Sequence, residues 1–182
     1  MKKGKVTIPL VSVIMPVHNA GKFLVPAIES ILKQTYPRIE LIIVDDASTD
    51  GSWKTLKRFR QKFSPVVRIF HSKNQTNAAG NGATNFGMTK AKGDYIARMD
   101  ADDISYPARI EKQIAYMTAH PNTILLGTQA RVIDKSGKII GTKTMPTDHD
   151  SIYEQYGVLH PIIHPSVMIR RSLLPSRDKI YS

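Results

Sequence analysis

The sequence predicts an α/β fold with a mostly parallel central sheet and helices on both faces. Apolar runs at residues 11–16, 41–44, 66–70 and 95–99 have the length of strands. They lack polar alternation, as strands buried on both faces do. Segments with apolar residues at helical spacing separate them through the first 120 residues, the pattern of a parallel sheet with crossover helices. The runs at 11–16, 41–44 and 95–99 end in polar or acidic residues. In such sheets ligands bind beyond the carboxyl ends of the strands, where strand order reverses.

Composition sets the outer bounds. A chain of 182 residues can build one domain with a substantial core. Hydrophobic residues at 41% and charged residues at 23% are ordinary for a globular protein. The absence of cysteine excludes a disulfide scaffold and cysteine-based zinc sites, and fits a reducing compartment. Lys and Arg number 26 against 15 Asp and Glu, a net +11 that favours anionic partners. Residues 1–10 read as a basic tail, and 11–182 as a single domain. The apolar stretch from Val6 to Val17 imitates a signal peptide, but Pro9 and Pro16 interrupt it and His18-Asn19 is no small-residue cleavage site. No apolar run reaches the roughly 18 residues a bilayer span needs.

The elements follow in order. After the strand at 11–16, the turn residues of 16–21 give a loop. Phe23, Leu24, Ala27, Ile28, Ile31 and Leu32 then recur at helical spacing, with Pro26 tolerable only near the first turn. That helix stops before Tyr36-Pro37. The strand at 41–44 ends in Asp45-Asp46. A turn follows, in which Ser48 or Thr49 can cap a helix whose apolar face is Trp53, Leu56 and Phe59 or Phe63. Pro65 ends it, and a strand covers 66–70. A polar loop at 72–82 leads to a helix from about 83 to 92, with Gly93 as its stop. After the strand at 95–99, Pro107 suits the first turn of a helix with Ile110, Ile114 and Met117 on one face. A strand at 124–126, a hairpin over 130–140, a short helix over 150–156 and a strand at 166–169 complete the reading.

The chemistry concentrates in Gly93-Asp94-Tyr95-Ile96-Ala97-Arg98-Met99-Asp100-Ala101-Asp102-Asp103. Three carboxylates within four residues repel one another unless a positive charge sits among them. A hard divalent cation, Mn2+ or Mg2+, suits carboxylate oxygens and commonly bridges them to substrate phosphates. The topology rule draws Asp45, Asp46, Asp100, Asp102 and Asp103 into one crevice. A carboxylate after the second strand can accept a hydrogen bond from a base imide or a ribose hydroxyl. The acids after the fourth can hold a metal that neutralises a diphosphate. One of Asp45 and Asp46 is expected to serve the capping turn instead.

Other classes fit less well. There is no Gly-x-Gly-x-x-Gly after the first strand, no phosphate-binding Gly-rich loop ending in Gly-Lys-Ser/Thr, and no Gly-x-Ser-x-Gly elbow. The loop Val17-His18-Asn19-Ala20-Gly21-Lys22 is too poor in glycine for a nucleotidyltransferase acting on a sugar phosphate, the nearest rival. A nucleic-acid-binding module would need a basic stripe interleaved with aromatics. Here the cations are scattered and the aromatics sit at core spacing.

Three motifs in order and spacing resemble glycosyltransferase family 2. They are Val11-Ser12-Val13-Ile14-Met15-Pro16-Val17-His18-Asn19, Ile42-Ile43-Val44-Asp45-Asp46-Ala47-Ser48-Thr49-Asp50-Gly51 and the acidic segment at 93–103. The likeness runs from about Val11 to Arg171. It implies a GT-A fold and an inverting, metal-dependent transfer of sugar from a nucleoside-diphosphate sugar, UDP-sugar favoured, to an acceptor hydroxyl. Polysaccharide or glycoconjugate synthesis is the implied setting. The implied donor site comprises Pro16, Val17, Asn19, Asp46, Asp100, Ala101 and His164, with Asp46 on the base. Asp102 is the implied metal ligand, with Asp100 facing the ribose or the metal. Asp103 points to the acceptor side or caps the next helix, and is a weak candidate for the base. His164 is read either as a neighbour of the donor phosphates or as a satisfied core histidine. Two departures stand out. Thr84 precedes Asn85 where many members carry Arg, so a donor-phosphate contact is expected to be missing or supplied elsewhere. The family's catalytic acid lies downstream of the last strand; Asp178 is the only acid after Glu154, in a different context. The base is therefore expected beyond Ser182, in a longer enzyme. Expected partners are the donor and a saccharide or lipid-linked acceptor, not nucleic acid. The expected location is cytoplasmic, with the cation excess permitting contact with an anionic membrane face.

Overall fold

The computed structural model describes residues 8–72, 81–158 and 160–174. Its main sheet has six strands in the order β3-β2-β1-β4-β8-β5. Strands β1 (Val11–Val17), β2 (Ile39–Asp46), β3 (Val67–Ser72) and β4 (Tyr95–Arg98) are mutually parallel. Strand β8 (Met168–Arg170) runs antiparallel to both β4 and β5 (Leu125–Leu126). From β1 the chain builds outward to β2 and β3, then returns to place β4 on the other side of β1. The order therefore reverses between β1 and β4. Strands β6 (Ala130–Ile133) and β7 (Ile139–Lys143) form the expected hairpin as a separate two-stranded sheet.

Period-two alternation divides the two faces. Val11, Val13, Met15, Leu41, Ile43, Val67, Ile69, Tyr95 and Ala97 point to one side. There they pack with Leu24, Ala27 and Ile28 of α1 (Leu24–Leu32), Leu56 of α2 (Ser52–Phe63) and Ile110 and Met117 of α4 (Arg109–Ala119). Ile14, Ile42, Val44 and Ile96 point to the other side, against Ala83 and Met88 of α3 (Asn81–Lys90). A short helix α5 (His149–Gln155) completes the set. No helix of the described residues is long and apolar enough to cross a membrane.

Several local expectations are corrected. Strand β2 runs through Asp45 and Asp46 rather than stopping before them, because β3 continues alongside to pair Asp45 with His71 and Asp46 with Ser72. Neither Ser48 nor Thr49 caps α2. Gly51 is its N-cap, at φ 94, with no side-chain cap bond, and Asp50 Oδ1 accepts the Ser52 N–H at 2.9 Å. Gly93 is not the stop of α3, which ends at Lys90. Its role is close approach: an added Cβ would lie 2.6 Å from the Ser12 backbone nitrogen. Pro107 precedes α4 rather than entering its first turn. The last strand starts at Met168, since residues 164–166 form a 3-10 turn. The basic tail to residue 7, most of the loop expected at 72–82, and Asp178 lie outside the described residues.

Candidate donor and metal site

The candidate site lies where β1 and β4 part. The two strands pair from Val11↔Tyr95 to Ile14↔Arg98, and the Met99 N–H then donates to the Ile14 carbonyl at 3.0 Å. Two residues on, Pro16 presents the same backbone edge. Its missing N–H falls where β4 has left, so no ladder bond is lost. Val17 is buried with the core, so only its backbone can face a ligand.

The loop after β1 is tied to the loop after β2. Asn19 adopts φ 51. Its Oδ1 accepts the Thr49 N–H at 2.8 Å and the Asp50 N–H at 3.3 Å, and its own N–H donates to Ser48 Oγ at 3.0 Å. The Asn19 side chain thus shapes the expected base-binding loop from behind. His18 Nδ1–H donates to the Asp46 carbonyl at 2.7 Å, and Asn19 Nδ2 approaches His18 Nε2 at 3.2 Å. Ala47 sits at φ 58 directly after β2. Two non-glycine residues in the left-handed region at one crevice match the local strain that binding loops carry.

Asp45 and Asp46 separate as alternation requires. Asp45 points to the α2 side, fully buried, where Oδ2 meets His71 Nδ1 at 2.7 Å and accepts the Ser48 N–H at 3.4 Å. The His71 ring stacks on Trp53, centroids 4.3 Å apart. Asp45 is therefore the acid that serves the turn. Asp46 points to the α3 side, the side of Arg98 and Asp100, and is 2% exposed.

The acidic segment needs the cations it was expected to need, and the fold supplies two of them. Arg98 Nε and Nη2 both donate to Asp100 Oδ1, at 3.2 and 3.1 Å. Arg98 Nη1 donates to Thr84 Oγ1 at 3.2 Å. Arg109 Nη2 donates to the Arg98 carbonyl at 2.8 Å. Burial lowers the Arg109 pKa to about 10, opposed by Asp103 and Asp100. Asp103 is raised to about 6, by burial first and then by Asp100 and Asp102, with Arg109 opposing. Asp102 is exposed and takes no hydrogen bond or ion pair from the other described residues. His164 lies near enough to feel both Arg98 and Asp100. Desolvation and then Arg98 lower its pKa, and Asp100 raises it. It is exposed, which removes the reading of a core histidine.

Residues that periodicity does not flag hold this segment still. Just past the end of α1, Gln34 Nε2 donates to the Tyr106 carbonyl at 2.8 Å, and its Oε1 accepts the Ile110 N–H at 3.0 Å. Ser30 Oγ accepts the Ser105 N–H at 3.0 Å. Arg98 alone left a trace in the sequence, as one cation inside an apolar strand.

Among the described residues, no group of three or more His, Asp or Glu side chains could hold a metal ion. A complete protein cage is thus absent from them. Asp100 and Asp102 fit the other mode of a hard divalent ion, in which one or two carboxylates share it with substrate phosphates.

The sequence profile described as Glycosyl transferase family 2 matches residues 12–176. This chain belongs to that family. It is 38% identical over 164 residues to the putative glycosyltransferase EpsE of Bacillus subtilis, covering 90% of this chain and 57% of that protein. It is 38% identical over 128 residues to glycosyltransferase GlyG of Streptococcus pneumoniae, covering 70% of this chain and 42% of that protein. The chain thus spans about half the length of these relatives. Residues 1–349 of S. aureus TarS in complex with UDP superpose with a TM-score of 0.66 at 20% identity, covering 91% of this chain and 48% of that one. Mannosyltransferase PcManGT from Pyrobaculum calidifontis, in complex with GDP-Man and Mn2+, gives 0.66 at 23%, covering 93% and 46%. These likenesses show the GT-A fold.

Proposed function

We propose that this chain carries the donor half of a metal-dependent, inverting glycosyltransferase that moves a sugar from a nucleoside-diphosphate sugar to an acceptor hydroxyl. One observation carries the reading. Asp46 ends β2 while Asp100 and Asp102 follow β4, on either side of β1 where strand order reverses, and Asp102 takes no hydrogen bond or ion pair from the other described residues. The solved structures of similar fold with UDP, UDP-GlcNAc, or GDP-Man and Mn2+ support the ligand class.

Each residue has a role that its setting supports. Asp46 accepts a hydrogen bond from the base, and a uracil imide N–H is the partner favoured. The backbone at Pro16 and Val17 and the loop braced by Asn19 press on the base. Asp100 and the backbone at Ala101 face the ribose. Asp102, with Asp100, would hold Mn2+ or Mg2+, which neutralises the departing diphosphate when bound. His164 stands beside Asp100 and Arg98, at the wall where the phosphates would lie. Asp103 is the weak candidate for a proton acceptor on the acceptor side. Polysaccharide or glycoconjugate synthesis, with a saccharide or lipid-linked acceptor at a cytoplasmic membrane face, is the proposed setting.

Calorimetric titration with UDP, with and without Mn2+, tests the reading, with GDP and ADP as controls. Mn2+-dependent binding of UDP is expected, and Asp102→Ala should weaken it at least tenfold, the usual scale for removing a ligand-binding charge. A variant that bound UDP and Mn2+ as well as the unaltered chain would remove Asp102 from the metal site. Preference for GDP would keep the reaction and change the base contact.

A further inference from the structure

The guanidinium of Arg98 is placed with unusual completeness. Its backbone is fixed on both sides: the N–H donates to the Val167 carbonyl at 2.8 Å, and the carbonyl accepts Arg109 Nη2 at 2.8 Å. Its side chain is 8% exposed. One edge of the fork grips a single oxygen of Asp100, through Nε at 3.2 Å and Nη2 at 3.1 Å. The third nitrogen, Nη1, is anchored 3.2 Å away on Thr84 Oγ1. Thr84 is 1% exposed, on a helix pressed so closely to the sheet that a Cβ on Gly87 would come 2.6 Å from Ile14 Cγ2. The anchor is thus a buried side chain on a closely packed helix.

This geometry has a chemical consequence. A carboxylate held through one oxygen by two N–H groups has its plane and its charge fixed before any ligand arrives. Oδ1 is committed to Arg98, and Oδ2 is the oxygen left for a ligand. Asp100 is paired with a buried cation, while Asp102, two residues on, takes no ion pair from the other described residues.

We propose that Arg98 is a positioning residue of the donor site, acting through Asp100, with Thr84 as its anchor. This rests on the donor-site reading above. Arg98 touches neither donor nor metal. It sets the orientation in which Asp100 offers Oδ2, and it keeps two neighbouring carboxylates from excluding each other. Lysine cannot replace it, because one ammonium cannot grip Asp100 and reach Thr84 in the same planar fork.

A double-mutant cycle on UDP binding in the presence of Mn2+ tests this, using the full chain, Arg98→Gln, Asp100→Asn and the double variant, with thermal melts recorded alongside. Arg98→Gln is expected to weaken binding about 10- to 100-fold, the usual cost of losing a group that orients a ligand. In the Asp100→Asn background the same change should cost almost nothing further. Arg98→Lys should recover only part of the loss, and Thr84→Val should show a smaller loss of the same kind. Additive losses, or full recovery by lysine, would overturn the positioning role while leaving the donor site standing. If the unaltered chain binds no nucleoside diphosphate with Mn2+, the donor-site reading falls and this inference falls with it. Should Arg98→Gln fail to fold, the cycle is run with Thr84→Val and Arg98→Lys, and the same additivity decides.

Discussion

Asp45 and Asp46 are adjacent acids facing opposite sides of the sheet, and the pleat of one strand separates them. Asp45 faces α2, where His71 and a weak bond from Ser48 occupy Oδ2, and Oδ1 is buried without a hydrogen-bond partner. Such a group depends on its single good partner. His71→Ala should destabilise the chain by about 1–3 kcal/mol, read by urea denaturation, since it leaves a buried acceptor unpaired. A second buried acid, Glu40, lies at the opposite end of the same strand. Burial raises its pKa, but Ser12, the Lys92 N–H and Arg68 together outweigh burial and hold it below 4.5. Its folded pKa is depressed, so its contribution is present above the unfolded pKa and lost as pH falls through the folded one. Glu40→Gln should cost about 1–3 kcal/mol at pH 7. The gap between variant and parent should close as the pH drops below 4.5, the ordinary value of the group. A gap that stayed constant down to acid pH would count against the ionised Glu40 network.

At the scale of elements, the acidic segment is positioned by its neighbours rather than by its own sequence. Strand β4 is short, but Gly93 lets it enter beside Ser12, with the Gly93 N–H donating to Ser12 Oγ at 2.8 Å. A methyl at Gly93 would meet the Ser12 nitrogen at 2.6 Å and the Tyr95 carbonyl oxygen at 2.7 Å, both backbone atoms that cannot swing aside. Gly93→Ala should therefore cost about 1–3 kcal/mol or more. Gly157→Ala, whose added carbon meets nothing within 4 Å, should change stability by less than about 0.5 kcal/mol. Paired denaturation curves compare the two. Equal effects would mean that β4 enters with more room than the structure gives it. On the other side of the acids, Ser30 of α1 and Gln34, two residues past its end, reach across to fix residues 105–110. A helix recognised in the sequence only by its apolar spacing thus also holds the acidic segment through one buried hydroxyl.

For the whole molecule, the reversal of strand order is what makes a site of scattered parts. The ends of β1, β2 and β4 meet only because β4 returns to the far side of β1. A ligand that bridges those ends binds the folded chain alone, so it must stabilise it. UDP and Mn2+ together, at about a hundredfold over the dissociation constant, should raise the melting temperature by about 5–10 °C. Either one alone should do much less. A full shift from UDP without metal would separate nucleotide recognition from Asp102.

Much of this was legible in the sequence because it is periodic or local. The apolar runs announced β1 to β4. Helical spacing marked Leu24, Ile28, Leu56, Ile110 and Met117 as core, and all of them are buried. The three acids at 100, 102 and 103 marked the candidate site, and the three motifs marked the family. Sequence spacing could not assign Asp45 and Asp46, because that depends on where β2 ends, and the neighbouring β3 decides it. It could not show that Asn19 braces a loop, that Gly93 serves a close approach, or that Arg98 reaches Thr84 on another element. Those contacts join residues 14 to 81 positions apart, and only the packed sheet brings them within hydrogen-bond reach. Local pattern fixes which residues are buried and which are charged. The partner each buried charge finds is a property of tertiary structure, because an ion out of water is stable only beside whatever the fold places next to it.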